Sequence, residues 1–149
     1  MTDHHVILRV VSKFLIPIIA VYAFYVQFHG DYGPGGGFQA GVILAVSVIL
    51  YALIFGIAEA LTAIPAVFAR GLAGVGVLLY AGVGLWTIAN GGNYLDYDFL
   101  VDEPPGGHAG QHLGILLIEL GVLFTVAGSM LTVFYAFAGR VTEIRDEDW

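Results

Sequence analysis

Gly30-Asp31-Tyr32-Gly33-Pro34-Gly35-Gly36-Gly37-Phe38-Gln39-Ala40-Gly41 stands between two long apolar runs and decides how the chain is read. Pro34 fixes its own φ and carries no N–H, while Gly35, Gly36 and Gly37 tolerate positive φ. The backbone can therefore reverse within a few residues. On physical grounds the segment is a tight turn between two helices. Without it, the first eighty or so residues would be almost unbroken hydrocarbon.

Outward from this turn the composition sets the class. The 149 residues are 58% hydrophobic and 11% charged, with a mean hydropathy of +0.86. Soluble domains carry about 25% charged residues. The chain reads as an all-α integral membrane protein with room for about four spanning helices of about 20 residues each. It forms one membrane domain, 1–149, with no extramembrane domain of useful size. A net charge of −7 with five Lys and Arg excludes a nucleic-acid partner, which needs a basic footprint. The absence of cysteine excludes disulfides and thiolate metal sites.

The spans are expected at about 6–28, 38–58, 71–89 and 113–137. In the first, Arg9 and Lys13 lie four apart and can snorkel to one interface, Pro17 predicts a kink, and Gln27 interrupts the run near its end. Tyr22, Phe24, Tyr25 and Phe28 form an aromatic belt at that end. Val21-Tyr22-Ala23 is a passable signal-peptidase site, but Pro17 and the bulky aromatics suit a retained anchor better. The second and third spans hold no charge. A connection at 59–70 carries Pro65, and a polar segment from 90 to about 107 carries Asp96, Asp98, Asp102 and Glu103.

With four spans arranged as two hairpins, Arg9, Lys13, Arg70, Arg140 and Arg145 all fall on one side of the membrane. Basic residues mark the cytoplasmic side, so both termini are expected there. The outer face then holds His29, Asp31, the loop acids and His108. Those acids either concentrate cations at an outer vestibule or form a solvated loop from which basic residues are kept away. Pro105-Gly106-Gly107 before the fourth span echoes Pro34-Gly35-Gly36-Gly37 before the second, as a parallel duplication would. Glycine-rich loops also resemble one another by composition alone.

Glu119 is the ionisable residue of the fourth span. A charge at a helix centre costs about 2.5–3.5 kcal/mol on insertion scales and faces a partner or a cavity. If that helix begins near His108, then His108, His112 and Glu119 at i, i+4 and i+11 lie within about 40° of one another. This polar stripe would run from the outer surface into the membrane as a cation or proton path. The alternative is a structural carboxylate bonded to a neighbouring helix. His108 and His112 also have the spacing of zinc-binding helices, but no third ligand follows at a recognisable interval, so no metal is expected. Gly114, Gly121 and Gly128 recur every seven residues as a packing seam. Lys13 either snorkels or pairs with Glu59. No nucleophile–base arrangement or phosphate-binding loop is present.

Pro34-Gly35-Gly36-Gly37-Phe38-Gln39-Ala40-Gly41, with an acidic residue three positions before the proline, resembles the PGGGFxxG signature of the MnhB (MrpB) family, one of the subunit families of the Mrp-type (Mnh-type) multisubunit Na⁺/H⁺ antiporters. The likeness extends to the basic first helix, the glycine-rich third span, and Glu119-Leu120-Gly121-Val122 followed by Thr125-Val126-Ala127-Gly128. An acidic residue precedes Gly-Val at that point in the family, which carries the correspondence to Glu119. Ala40 departs from the family's usual bulky residue or glycine.

The resemblance implies a small accessory subunit of a large complex in a bacterial or archaeal cell membrane that exchanges Na⁺ for H⁺. It implies no cofactor and no catalysis of its own; the partners are other antiporter subunits and lipid. The main proton-translocating chains of such complexes resemble the pumps of respiratory complex I. An equivalent scaffold subunit of an ion-translocating hydrogenase or related respiratory complex is the alternative. The candidate ion-path residues are Glu119, His112, His108 and Asp31, beside the turn formed by Pro34, Gly35, Gly36, Gly37, Phe38 and Gly41.

Overall fold

The structure, a computed structural model, describes residues 3–102, 104 and 107–140. Glu103, Pro105, Gly106 and Arg145, named above in the acidic loop, the echoed turn and the basic partition, lie outside the described residues. Five α-helices form: α1 (Asp3–His29), α2 (Gly37–Phe55), α3 (Ile57–Ala63), α4 (Ala66–Ala89) and α5 (Ala109–Ala138), with a short 3-10 turn at Tyr97–Phe99. Four of them, α1, α2, α4 and α5, are long and apolar enough to cross a membrane. The expected all-helical, four-span class is therefore present.

The first and last long helices begin earlier than expected, at Asp3 and Ala109, and two further boundaries differ for a local reason. The span expected at 38–58 stops at Phe55, because Gly56 takes φ 111° and ψ 152°, outside the helical region. Its N–H still closes α2 on the Ala52 carbonyl at 2.9 Å, and the chain restarts as α3. The connection expected at 59–70 is thus largely helical. The third span, expected at 71–89, begins earlier, at Ala66, because Pro65 at φ −60° is preset to lead into a helix. Arg70 consequently sits within α4. Helix α1 continues through Pro17 from Asp3 to His29.

The α1–α2 and α4–α5 hairpins meet through α2 and α5, so the spans stand in the order α1, α2, α5, α4. Small residues let the axes approach. Ala23, Ala40, Ala45, Ala52, Ala60, Ala69 and Ala127 are each 5% exposed or less, and Leu123 packs with Ala40 and Val26. With no hydrophobic drive between helices in lipid, this close van der Waals contact holds spans together. The heptad seam divides its work. A Cβ on Gly128 would stand 2.5 Å from the Ala69 carbonyl oxygen of α4, and Gly121 faces Gly76 and Tyr80 of α4, whereas Gly114 lies under the ring of Tyr97.

The segment between α4 and α5 folds back over the C-terminal end of α4 and the N-terminal end of α5. Leu95 adopts φ 61°, and its N–H is held by the buried Thr87 hydroxyl at 3.1 Å, which also bonds the Asn93 carbonyl at 2.8 Å. At the opposite end Tyr135 donates its hydroxyl to the Ile64 carbonyl at 3.1 Å, tying α5 to the joint between α3 and α4. Tyr135→Phe is expected to lower stability by about 0.5–1.5 kcal/mol, the net value of one such bond. A lowered thermal midpoint of the purified protein is the check. Lys13 and Glu59 are both exposed, and no ion pair joins them among the described residues.

Candidate functional site

The glycine turn docks onto the end of α1. Tyr32 and Gly33 donate to the His29 carbonyl at 3.0 Å each, and Gly36 donates to the Val26 carbonyl at 3.1 Å. Gly36, at φ 111°, is buried at the N-cap of α2 with no side-chain cap, and no acidic residue occupies the first turn of that helix. The leading N–H groups of a helix have no partner within it and carry partial positive charge.

Helix α5 brings the missing negative charge. A Cβ on Gly30 would stand 2.5 and 2.6 Å from the two carboxylate oxygens of Glu119, and one on Gly36 would stand 2.9 Å from Oε1. The Glu119 carboxylate therefore lies in a notch that only glycine leaves open, beside the uncapped start of α2. Gly37 is closer still to the α5 backbone. Its would-be Cβ overlaps the Glu119 carbonyl group, 2.8 Å from the carbon. Sequence positions nearly ninety apart become one site because α2 starts where α5 carries its acid.

A cavity of about 230 Å³ opens at this notch, lined by Gln27, Phe28, Asp31, Tyr32, His112, Ile115, Leu116 and Glu119. His112 Nδ1 and Asp31 Oδ2 are 2.5 Å apart, and Asp31 also acts electrostatically on Glu119. The His112 side chain is 57% exposed, so its bond to Asp31 sits at the mouth, where such pairs contribute about 0–1 kcal/mol. Phe28, Ile115 and Leu116 supply an apolar wall.

Three of the four candidate ion-path residues, Glu119, His112 and Asp31, thus meet in one cavity. His108 does not join them. It is exposed at the N-cap of α5 with φ −130° and ψ 7°, where its carbonyl accepts from the His112 N–H at 3.1 Å, and it does not line the cavity. In the motif turn, Gly36 and Gly37 touch the Glu119 region, and Gly41 packs against Leu123 and Val126 of α5. Phe38 is exposed, and Pro34 is exposed within the turn. Of the loop acids, Asp98 accepts from Gln111 Nε2 at 2.7 Å. Gln27 is a residue that sequence reasoning passes over. It is fully buried, and neither atom of its amide has a hydrogen-bond partner. The signal is a primary amide in the last turns of an otherwise apolar helix, four residues before Asp31 in the turn that follows. A second cavity of about 250 Å³ between α4 and α5 is lined by Val77, Tyr80, Ala81, Gly121, Val122, Thr125 and Val126, and offers packing rather than charge.

Residues 7–132, which include the whole of this site, match the family described as a domain related to the MnhB subunit of Na⁺/H⁺ antiporters. The chain belongs to that family. Among MnhB-related relatives, a Staphylococcus aureus (strain MRSA252) protein provisionally named antiporter subunit mnhB2 is 36% identical over 140 residues, which cover 93% of this chain and 98% of the relative. A protein of the same provisional name from Staphylococcus haemolyticus (strain JCSC1435) is 34% identical over 140 residues, with the same coverage. The MnhB likeness extends from α1 into the last turns of α5 and is not confined to the glycine motif.

Proposed function

We propose that this chain is an accessory, multi-pass subunit of a multisubunit Na⁺/H⁺ antiporter in a bacterial or archaeal cell membrane, supporting assembly and lining part of an ion path. Both termini face the cytoplasm in this reading, which places the glycine turn and the Glu119 cavity toward the outer side. The observation that carries the ion-path part is the Glu119 carboxylate lodged between Gly30 and Gly36, sharing a cavity with Asp31 and His112. Ionisable residues within membrane spans that face a cavity mark ion and proton paths.

Family membership and exposed surface support the subunit part. The outward faces of α1 and α4 carry large apolar side chains, including Phe14, Ile18, Val21, Phe68, Leu78 and Leu85, each more than half exposed. Such faces suit lipid or other hydrophobic subunits. Four spans in a row around one carboxylate do not provide the two-sided gating that a standalone carrier needs. The chain supplies no catalytic chemistry of its own; the transported ions are Na⁺ and H⁺, and no cofactor is required. Gentle purification of the tagged chain from its native membrane is expected to bring down several larger hydrophobic subunits, read by native mass and peptide identification. Recovery of the chain alone or as a homo-oligomer would contradict the proposal.

A further inference from the structure

The amide of Gln27 is the one feature of the cavity that packing does not explain. A buried amide left without hydrogen bonds costs roughly 1–3 kcal/mol, and native proteins seldom leave one so. Gln27 is 0% exposed with both amide atoms unpartnered, yet it lines the cavity that holds Glu119. What satisfies it therefore belongs in that cavity. At ~30 Å³ per water, about 230 Å³ gives room for about seven waters, or for a cation keeping part of its hydration shell.

The charge balance selects between water and ion. No Lys or Arg lines the cavity. His112 bonds Asp31, and the Glu119 carboxylate faces only the partial positive charge of the uncapped start of α2, about half a unit. The negative charge that remains suits one monovalent cation. A divalent ion would need more carboxylates, and no cluster of three or more His, Cys, Asp or Glu positioned for a metal exists among the described residues. Gln27 does not titrate, so it cannot relay a proton, but its carbonyl oxygen is a hard ligand of the kind that alkali cations take.

We infer that this cavity binds a partly hydrated monovalent cation, with the Gln27 amide oxygen and the Glu119 carboxylate as its protein ligands and the Asp31–His112 pair at its mouth. The inference rests on the ion-path reading of Glu119 and adds the ligand and the residue that selects it. Gln27 is then a specificity-determining position, since an amide oxygen contributes to a cation and nothing to a proton.

The test uses the intact antiporter complex reconstituted in vesicles, with Na⁺ as the probe and choline as the control at matched ionic strength and pH. Gln27→Met keeps the volume and removes both polar atoms. It is expected to raise the KM for Na⁺ about tenfold while the maximal rate stays within about twofold. Independently, labelling of Glu119 by a hydrophobic carbodiimide, followed by peptide mass spectrometry, is expected to slow in Na⁺ and not in choline. Gln27→Met is expected to need about ten times more Na⁺ for that protection. An unchanged KM in an assembled Gln27→Met complex overturns the inference, as does equal labelling in Na⁺ and choline. If Gln27→Met does not assemble, protection of the wild-type complex decides alone. Failure here leaves the ion-path reading standing if Glu119→Gln still abolishes transport, so the two are separable.

Discussion

Gly37→Val is expected to remove the folded chain from the membrane and, with it, the complex. Gly37 sits where the first turn of α2 crosses the backbone of α5, and a Cβ there would meet the carbonyl carbon of Glu119 at 2.8 Å and its Cα at 3.0 Å. Those atoms are backbone and cannot rotate aside. The helices must separate, which also opens the contacts of Ala40 and Leu123 behind them. Overpacking by one or two methyl groups costs about 1–3 kcal/mol where side chains can yield. Against a total stability of about 5–15 kcal/mol, a backbone clash at the joint between the two hairpins is a large loss. Quantitative immunoblotting of membranes reads the outcome. Gly71→Ala, whose added Cβ meets nothing within 4 Å, is expected to leave the level unchanged.

The four spans are legible, because uncharged runs of about 20 residues have few other fates. The turn at 30–41 is legible as a reversal, since Pro34 and the following glycines leave little else. The break at Gly56 is not. Phe55-Gly56-Ile57-Ala58 continues an apolar run, and a lone glycine is tolerated inside a helix; only φ 111° reveals the stop.

For the site, helical spacing puts His112 and Glu119 together on α5, where both line the cavity, while His108 is the N-cap and does not line it. Asp31 is visible as an acid beside the motif. Its pairing with His112 depends on how α2 seats against α5, information that no local pattern carries. Gln27 is visible only as an interruption of the first span and not as a site residue, for a different reason. A glutamine in the last turns of an apolar helix ordinarily reaches water, and only its burial without partners marks it out.

Glu119→Gln separates a path from a scaffold. The substitution keeps shape and removes charge, so the notch between Gly30 and Gly36 still fits the side chain and assembly is expected to hold. What changes is the electrostatic environment of an ion in the cavity. A loss of only about 1.4 kcal/mol of stabilisation at a rate-limiting step lowers the rate about tenfold, and removing the Glu119 charge from the cavity is expected to cost at least that. The deciding measurement is Na⁺-driven proton movement by purified Glu119→Gln complex in vesicles, with native mass confirming the full set of subunits. A fall of about tenfold or more with the complex intact is the predicted result. Transport at the wild-type rate would contradict it, and would leave the carboxylate as a structural partner of the turn between α1 and α2.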